Sequence, residues 1–167
     1  MLVLFCISGL IFIYYVYLIL QFKRHIAHRL AVSKGIASQQ KVSILIPFRN
    51  EEEVLRETLS SLSKVEYPQD NFEIIFVNDH STDQFLKVFE EYSSIKNIRL
   101  IDNKGEGKKS AILSGIDAAN YSWILASDAD CVYEPQWLST CELLINNFQA
   151  DMYVLPVVVM NENNILS

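Results

Sequence analysis

Between residues 41 and 160 the chain alternates short, almost wholly apolar runs with stretches of helical spacing. VSILIP (Val42 to Pro47) is rich in β-branched residues and reads as a buried strand. Asn50 is then placed to cap a helix whose first turn is Glu51, Glu52 and Glu53, favourable at the positive end of the macrodipole. Val54, Leu55, Leu59 and Leu62 recur at helical intervals until Tyr67-Pro68 breaks the pattern. FEIIFV (Phe72 to Val77) is a second strand, and Thr82 to Tyr92 a second helix with Phe85, Val88 and Phe89 inward. NIRLID (Asn97 to Asp102) is a third strand, Ser110 to Ala119 a third helix and WILAS (Trp123 to Ser127) a fourth strand. Pro135 to Phe148 reads as a helix and MYVLPVVVM (Met152 to Met160) as a further strand.

Strands that are apolar throughout and alternate with helices predict a mostly parallel sheet covered on both faces, a Rossmann-like α/β architecture. Ligands of such open sheets bind beyond the carboxyl ends of the strands. Three post-strand loops therefore share one rim: Pro47-Phe48-Arg49-Asn50, Asn78-Asp79-His80-Ser81 and Ser127-Asp128-Ala129-Asp130.

The N-terminal pattern is of another kind. From Leu2 to Leu20 no charge occurs and only Ser8 and Gly9 interrupt the apolar run. As a helix it matches the ~30 Å hydrocarbon core of a bilayer. Tyr14, Tyr15 and Tyr17 lie where an interfacial belt would form. A cleaved signal peptide fits poorly, with no basic n-region and no A-x-A site. Lys23, Arg24, Arg29, Lys34 and Lys41 follow with no acid before Glu51, which places that flank in the cytosol. The expected organisation is a transmembrane anchor over 1–22, a basic juxtamembrane segment and linker over 23–40, and a globular domain over 41–167. The expected location is a single-pass membrane protein whose domain faces the cytoplasm. His25 and His28 read as headgroup-facing polar residues rather than metal ligands.

Composition narrows the partners. The net charge is −6, and no basic stripe exists to neutralise several phosphates, which argues against a nucleic-acid polymer. Mean hydropathy is +0.16, with the excess concentrated in the N-terminal run. Cys6, Cys131 and Cys141 show no C-x-x-C spacing and read as free thiols of a reducing compartment.

Three rim features carry candidate chemistry. Asp79, in NDHSTD, is either a turn residue ahead of a Ser81 or Thr82 cap or a carboxylate accepting from a nucleobase ring N–H. Lys104 to Ser110, KGEGKKS, fails the P-loop pattern, with Asp102 where Gly belongs and Lys109 where Ser or Thr belongs. It is either a solvated turn or a flexible, cationic approach to a helix N-terminus that suits an anion. Asp128 and Asp130 in ILASDADC point the same way on an extended backbone and repel each other unless a cation intervenes. They are either a polar strand end or a hard-cation site for Mg²⁺ or Mn²⁺, completed by water and phosphate oxygens.

The order VSILIPFRNEEE, FEIIFVNDHSTD, NKGEGKKSAILSGI, WILASDADCVYEPQWL resembles the family 2 glycosyltransferases of the GT-A fold, from about Lys41 to Pro156. The resemblance implies that Pro47, Phe48, Arg49, Asn50 and Glu51 line the nucleotide pocket and that Asp79 binds the base. Lys108 is similar to the lysine of the family's G-K element. Asp128 and Asp130 match its D-x-D, with Asp130 implied as direct metal ligand and Asp128 as ribose or metal ligand. Departures are Arg49 where tyrosine is common, His80 for a more usual Asp or Gly, and Ser114 for a frequent Asn. The acidic motif that supplies the family's catalytic base, and its Q-x-x-R-W element, have no counterpart after Asp130, where the acids are Glu134, Glu142, Asp151 and Glu162.

The implied activity is inverting transfer of a sugar from a nucleotide-diphospho-sugar to a sugar or lipid-linked acceptor hydroxyl, with this chain holding the donor and metal half of the site. A missing C-terminal half is expected to supply the base. The alternative is a non-catalytic, membrane-tethered module that binds the nucleotide-sugar or pairs with another chain. A sugar nucleotidyltransferase lacks support, because PFRNEEE stands where a Gly-rich loop would follow the first strand.

Overall fold

A computed structural model describes Gly9 and residues 12–21, 40–147 and 150–155. The chain divides into two units, Met1–Ala37 and Ser38–Ser167. In the first, residues 12–21 are helical (α1). Every side chain from Phe12 to Leu20 is exposed, so this helix is apolar all round rather than along one stripe. No helix among the described residues is long and apolar enough to cross a membrane. Of the apolar run from Leu2 to Leu20, residues 2–8, 10 and 11 lie outside the described residues, as does the basic segment over 22–39.

The second unit runs β1 (Val42–Phe48), α2 (Glu52–Leu62), β2 (Phe72–Asn78), α3 (Phe85–Glu91), β3 (Ile98–Asp102), α4 (Lys108–Ala118), β4 (Trp123–Ala126) and α5 (Trp137–Asn147). A 3₁₀ turn at Gln69–Asn71 leads into β2. The sheet order is β3-β2-β1-β4, with every pair parallel. β1 is central and buried along its whole length, which is why its sequence shows no polar alternation.

Alternate residues of the central strands feed two cores. Val42, Ile44, Ile46 and Phe48 of β1 and Phe72, Ile74 and Phe76 of β2 pack with Leu55, Leu59 and Leu62 of α2, Phe85 and Val88 of α3 and Leu138 of α5. Leu45, Ile75 and Val77 point the other way, onto Ala111 of α4. Helices thus cover both faces, as the pattern predicts. Ile44, Ile46, Ile74 and Phe76 are fully buried, and each stabilises the fold by roughly 1.5–3 kcal/mol. The chain steps outward from β1 to β2 and β3, then returns through α4 to the other side of β1. The β1–β4 boundary is therefore the topological switch point, and the crevice beyond it is where such sheets bind ligands.

The return path needs a close approach. A Cβ on Gly115 of α4 would stand 3.2 Å from both methyls of Leu45 and 3.3 Å from a methyl of Val77. Gly115→Leu is expected to lower stability by about 2 kcal/mol through overpacking, read as a lower thermal midpoint.

Several boundaries differ from the sequence reading. Residues 81–84 are spent on inter-loop hydrogen bonds, so α3 starts at Phe85 instead of Thr82. The helix expected from Pro135 begins at Trp137, and Lys108 already opens the helix expected from Ser110. Asn50 does not cap α2. Its backbone is left-handed (φ 55°), Glu51 holds the capping position, and the Asn50 side chain faces another loop. Met152–Leu155 form no strand, with Met152 and Val154 largely exposed, and 156–160 lie outside the described residues. β-branched composition favours strand only where a neighbouring strand is there to pack and pair.

Candidate active site

The loops beyond β1 and β2 are stitched together by side chains. The Asn50 N–H donates to Ser81 Oγ (3.0 Å), and Asn50 Oδ1 accepts from the Thr82 N–H (2.7 Å). One turn further on the two helices cap each other. The Glu52 N–H donates to Asp83 Oδ2 (2.9 Å) and the Gln84 N–H donates to a Glu52 carboxylate oxygen (2.8 Å). Each carboxylate thus satisfies an orphan amide at the other helix's N-terminus. The first two loops of the predicted rim form one cross-braced unit.

Within that unit the expected pocket residues separate. Pro47 and Phe48 belong to β1 and are buried. The Phe48 ring packs edge-on against Phe85 at 5.1 Å, inside a cluster with Phe76 and Phe89. Arg49 and Asn50 are exposed on the rim and Glu51 is half-buried. The solvent-facing part of PFRNE is therefore its second half.

Asp79 is 5% exposed, yet it is richly paired. The Gly107 N–H reaches both carboxylate oxygens at 3.1 Å, and Asn103 Nδ2 donates to Oδ1 at 2.7 Å. His80, left-handed at φ 59°, places Nδ1 3.3 Å from the same oxygen. The Asn103 hydrogen bond is the main reason the carboxyl lies below its ordinary range; burial opposes it, and His80, the Gly107 amide and the Arg49 charge assist. Among the described residues Oδ2 takes the Gly107 amide alone and retains an acceptor lobe.

Asn103, which the sequence reading passed over, organises the next loop. Its Oδ1 accepts from the Gly105 N–H (3.2 Å), Ser110 Oγ (2.9 Å) and Ser114 Oγ (3.1 Å). The signal available in the sequence was positional, an Asn directly after a strand and ahead of a Gly-rich turn. Gly107 closes the turn at φ 84°, ψ 163°, a region that only glycine occupies without strain.

Lys108 then opens α4, and its ammonium lies 2.6 Å from Asp128 Oδ1. The lysine loop and the D-x-D loop meet at the switch point. β4 ends at Ala126, and Ala129 and Asp130 lie in a turn, so Asp128 and Asp130 follow the strand as expected but not on the extended backbone that would point both carboxylates the same way. Both are exposed, while Ala129 between them is buried and its carbonyl accepts from Thr58 Oγ1 of α2. Beneath them the Tyr133 hydroxyl donates to Ser127 Oγ (2.8 Å), its ring 4.6 Å from that of Trp137. Burial above all pushes the Tyr133 phenol above its ordinary range, which makes it a packing group rather than a proton carrier at neutral pH.

Among the described residues no group of three or more His, Cys, Asp or Glu side chains converges as a metal cage. Two exposed carboxylates flanking a buried residue nonetheless suit an ion such as Mg²⁺, which commonly takes one or two carboxylates and completes its shell with substrate phosphates and water.

Comparison with known proteins agrees with this layout. Residues 43–165 match the family described as Glycosyl transferase family 2. The chain is 42% identical over 95 residues to "Probable glycosyltransferase YdaM" of Bacillus subtilis, covering 54% of this chain and 23% of that protein. It is 33% identical over 109 residues to the poly-beta-1,6-N-acetyl-D-glucosamine synthase of Staphylococcus epidermidis, covering 64% and 26%. The chain thus spans about a quarter of the length of these relatives. Among solved structures, S. aureus TarS 1-349 in complex with UDP-GlcNAc aligns with TM-score 0.57 at 27% identity, covering 64% of this chain and 31% of that one. The mannosyltransferase PcManGT of Pyrobaculum calidifontis shares the fold, with TM-score 0.61 at 19% identity over 77% and 40%. With the family pattern spanning residues 43–165, most of its length, the chain belongs to glycosyl transferase family 2.

Proposed function

We propose that the chain forms the donor-binding half of a metal-dependent, inverting glycosyltransferase that moves a sugar from a nucleotide-diphospho-sugar to an acceptor hydroxyl. The observation that carries this reading is the meeting of Lys108 and Asp128 at the β1–β4 switch point, on the rim that holds Asp79. Arg49, Asn50 and Glu51 face the nucleotide, with Arg49 able to stack on the base. The free lobe of Asp79 Oδ2 accepts a ring N–H. Lys108, at the amino end of α4, attracts the diphosphate. Asp128 and Asp130 would hold Mg²⁺ or Mn²⁺, which when bound supplies charge neutralisation for a departing diphosphate.

UDP-N-acetylhexosamines are the first donors to test. The matched synthase and the TarS complex both carry N-acetylglucosamine in their names. The reading assigns no general base among the described residues. Glu142 accepts from the Gln40 N–H (3.0 Å), committed to holding the entry of the chain against α5. The apolar run from Leu2 to Leu20 and the basic residues after it support a membrane anchor with the domain on the cytoplasmic side.

Asp130→Ala tests the metal assignment. Calorimetric titration of the variant with UDP-GlcNAc is expected to give the same weak affinity with Mn²⁺ as with EDTA. A variant that kept its Mn²⁺ dependence would refute Asp130 as ligand.

A further inference from the structure

We propose that Asn103 is a positioning residue for the donor: by fixing the Asp79 carboxylate and the Gly107 turn, it holds Lys108 where its ammonium reaches the D-x-D loop. The proposal rests on the donor-binding reading above. Asn103 directly follows the edge strand β3 and is 6% exposed, so it acts through its neighbours instead of touching a ligand. Its backbone N–H donates to the Asn78 carbonyl (2.8 Å), extending the β2–β3 ladder to the rim.

Both ends of its side chain are occupied, and the two ends do different things. Nδ2 fixes Asp79 Oδ1 on one side. Oδ1 gathers the Gly105 amide and the hydroxyls of Ser110 and Ser114 from the turn and the first half of α4 on the other. A side-chain amide donates from one end and accepts at the other, which a place between a carboxylate and three donors requires. An aspartate here would lose the donor and face the Asp79 carboxylate with like charge. An apolar residue would remove the shortest hydrogen bond of Asp79 Oδ1 and leave the Gly105 amide without its acceptor.

What this network controls is the start of α4. The Gly107 amide is pinned on Asp79, and the next residue is Lys108. Lys108 and Lys109 stand in the first turn with no acidic residue to offset them, a placement the helix macrodipole disfavours. A cationic helix start of this kind needs an anchor to hold it and an anion to face. The Asp79–Gly107 contact supplies the first and Asp128 the second. An incoming diphosphate would meet both lysines beside Asp128, with their position set from behind by Asn103.

A double-mutant cycle on the chain tests this, reading the calorimetric Kd for UDP-GlcNAc with Mn²⁺ in wild type, Asn103→Ala, Lys108→Ala and the double variant. Each single change is expected to weaken binding by about ten-fold, and the double by no more than about two-fold beyond Lys108→Ala, because Asn103 acts on the donor through the placement of Lys108. Losses that multiply to about a hundred-fold would overturn the proposal, since general loosening of the fold adds independently of Lys108. Should Asn103→Ala not fold, Ser110→Ala removes one of the three donors to Asn103. It is expected to cost about three-fold in wild type and nothing in the Lys108→Ala background, while an equal cost in both would overturn the proposal. A wild-type chain that binds no nucleotide-diphospho-sugar would remove the donor reading and this role with it. Multiplying losses in a chain that does bind would remove the role of Asn103 alone.

Discussion

Asp79→Ala is expected to lower the unfolding free energy by about 3 kcal/mol and to weaken nucleotide-diphospho-sugar binding by about ten-fold or more. The carboxylate is buried and takes hydrogen bonds from Asn103, from the Gly107 amide and from His80. Truncation leaves the backbone N–H of Gly107 without its acceptor and the buried amide of Asn103 with only its longer hydrogen bond to the Gly107 carbonyl (3.4 Å), and each such loss costs about 1–3 kcal/mol, with incomplete additivity. Gly107 sits in a backbone region held only by surrounding contacts, so losing its anchor releases the turn and displaces Lys108. Chemical denaturation reads the first effect and calorimetry with UDP-GlcNAc the second.

Glu73→Ala should cost about as much stability, again about 3 kcal/mol, yet leave donor affinity within about two-fold wherever the fold is intact. Glu73 lies at the opposite end of the sheet, paired with Ser43 at the amino ends of β2 and β1, and is 7% exposed. One carboxylate oxygen accepts from Ser43 Oγ (2.7 Å) and the Asn120 N–H (2.6 Å). The other accepts from Asn120 Nδ2 (2.7 Å) and Arg99 Nη1 (2.9 Å). It therefore binds β1, β2 and β3 to the turn that delivers β4. Truncation leaves the wholly buried Ser43 O–H without its acceptor, though its oxygen keeps the Tyr121 N–H, and takes both acceptors from Asn120, while the half-exposed Arg99 recovers water. The pair of variants separates fold from site: equal stability losses with a donor defect in only one.

Both carboxylates also set the acid limit of the fold. For Glu73, burial pushes the carboxyl up but is outweighed by the Ser43, Asn120 and Arg99 hydrogen bonds, and the net displacement is downward. Asp79 is likewise lowered, chiefly by Asn103. A carboxyl lowered in the folded state stabilises fully above its unfolded value, about pH 4, and that contribution disappears as pH falls through the lower folded value. The thermal midpoint should be flat from neutrality to about pH 5 and drop below about pH 4. The drop should be shallower in Asp79→Ala and Glu73→Ala.

Much of this was legible in the sequence because the governing interactions are local or periodic. Apolar strands such as VSILIP and FEIIFV announce burial on both faces, and alternation with helices implies a parallel sheet whose loops share one rim. Asp79, Lys108, Asp128 and Asp130 all lie on loops or helix starts at that rim. What sequence could not convey was long-range pairing. Asn50 resembles a helix cap, but its side chain is claimed by Thr82 from the neighbouring loop, and Asp83 reaches the α2 amide instead. Phe48 looks like part of a loop motif, yet Phe85 and Phe89 draw it into the core. Asn103 is one asparagine among many until the fold brings Asp79, Ser110 and Ser114 to it. Asp128 and Asp130 are exposed on either side of a buried Ala129 at a turn, a local geometry that strand periodicity does not predict.

Calorimetric titration of the wild-type chain with UDP- and GDP-sugars, in Mn²⁺ and again in EDTA, addresses the central claim most directly. The account expects at least one nucleotide-diphospho-sugar to bind about ten-fold or more tightly in Mn²⁺, as two carboxylates completed by donor phosphates require. Equal affinity in Mn²⁺ and EDTA for every donor, or no binding to any, would contradict it.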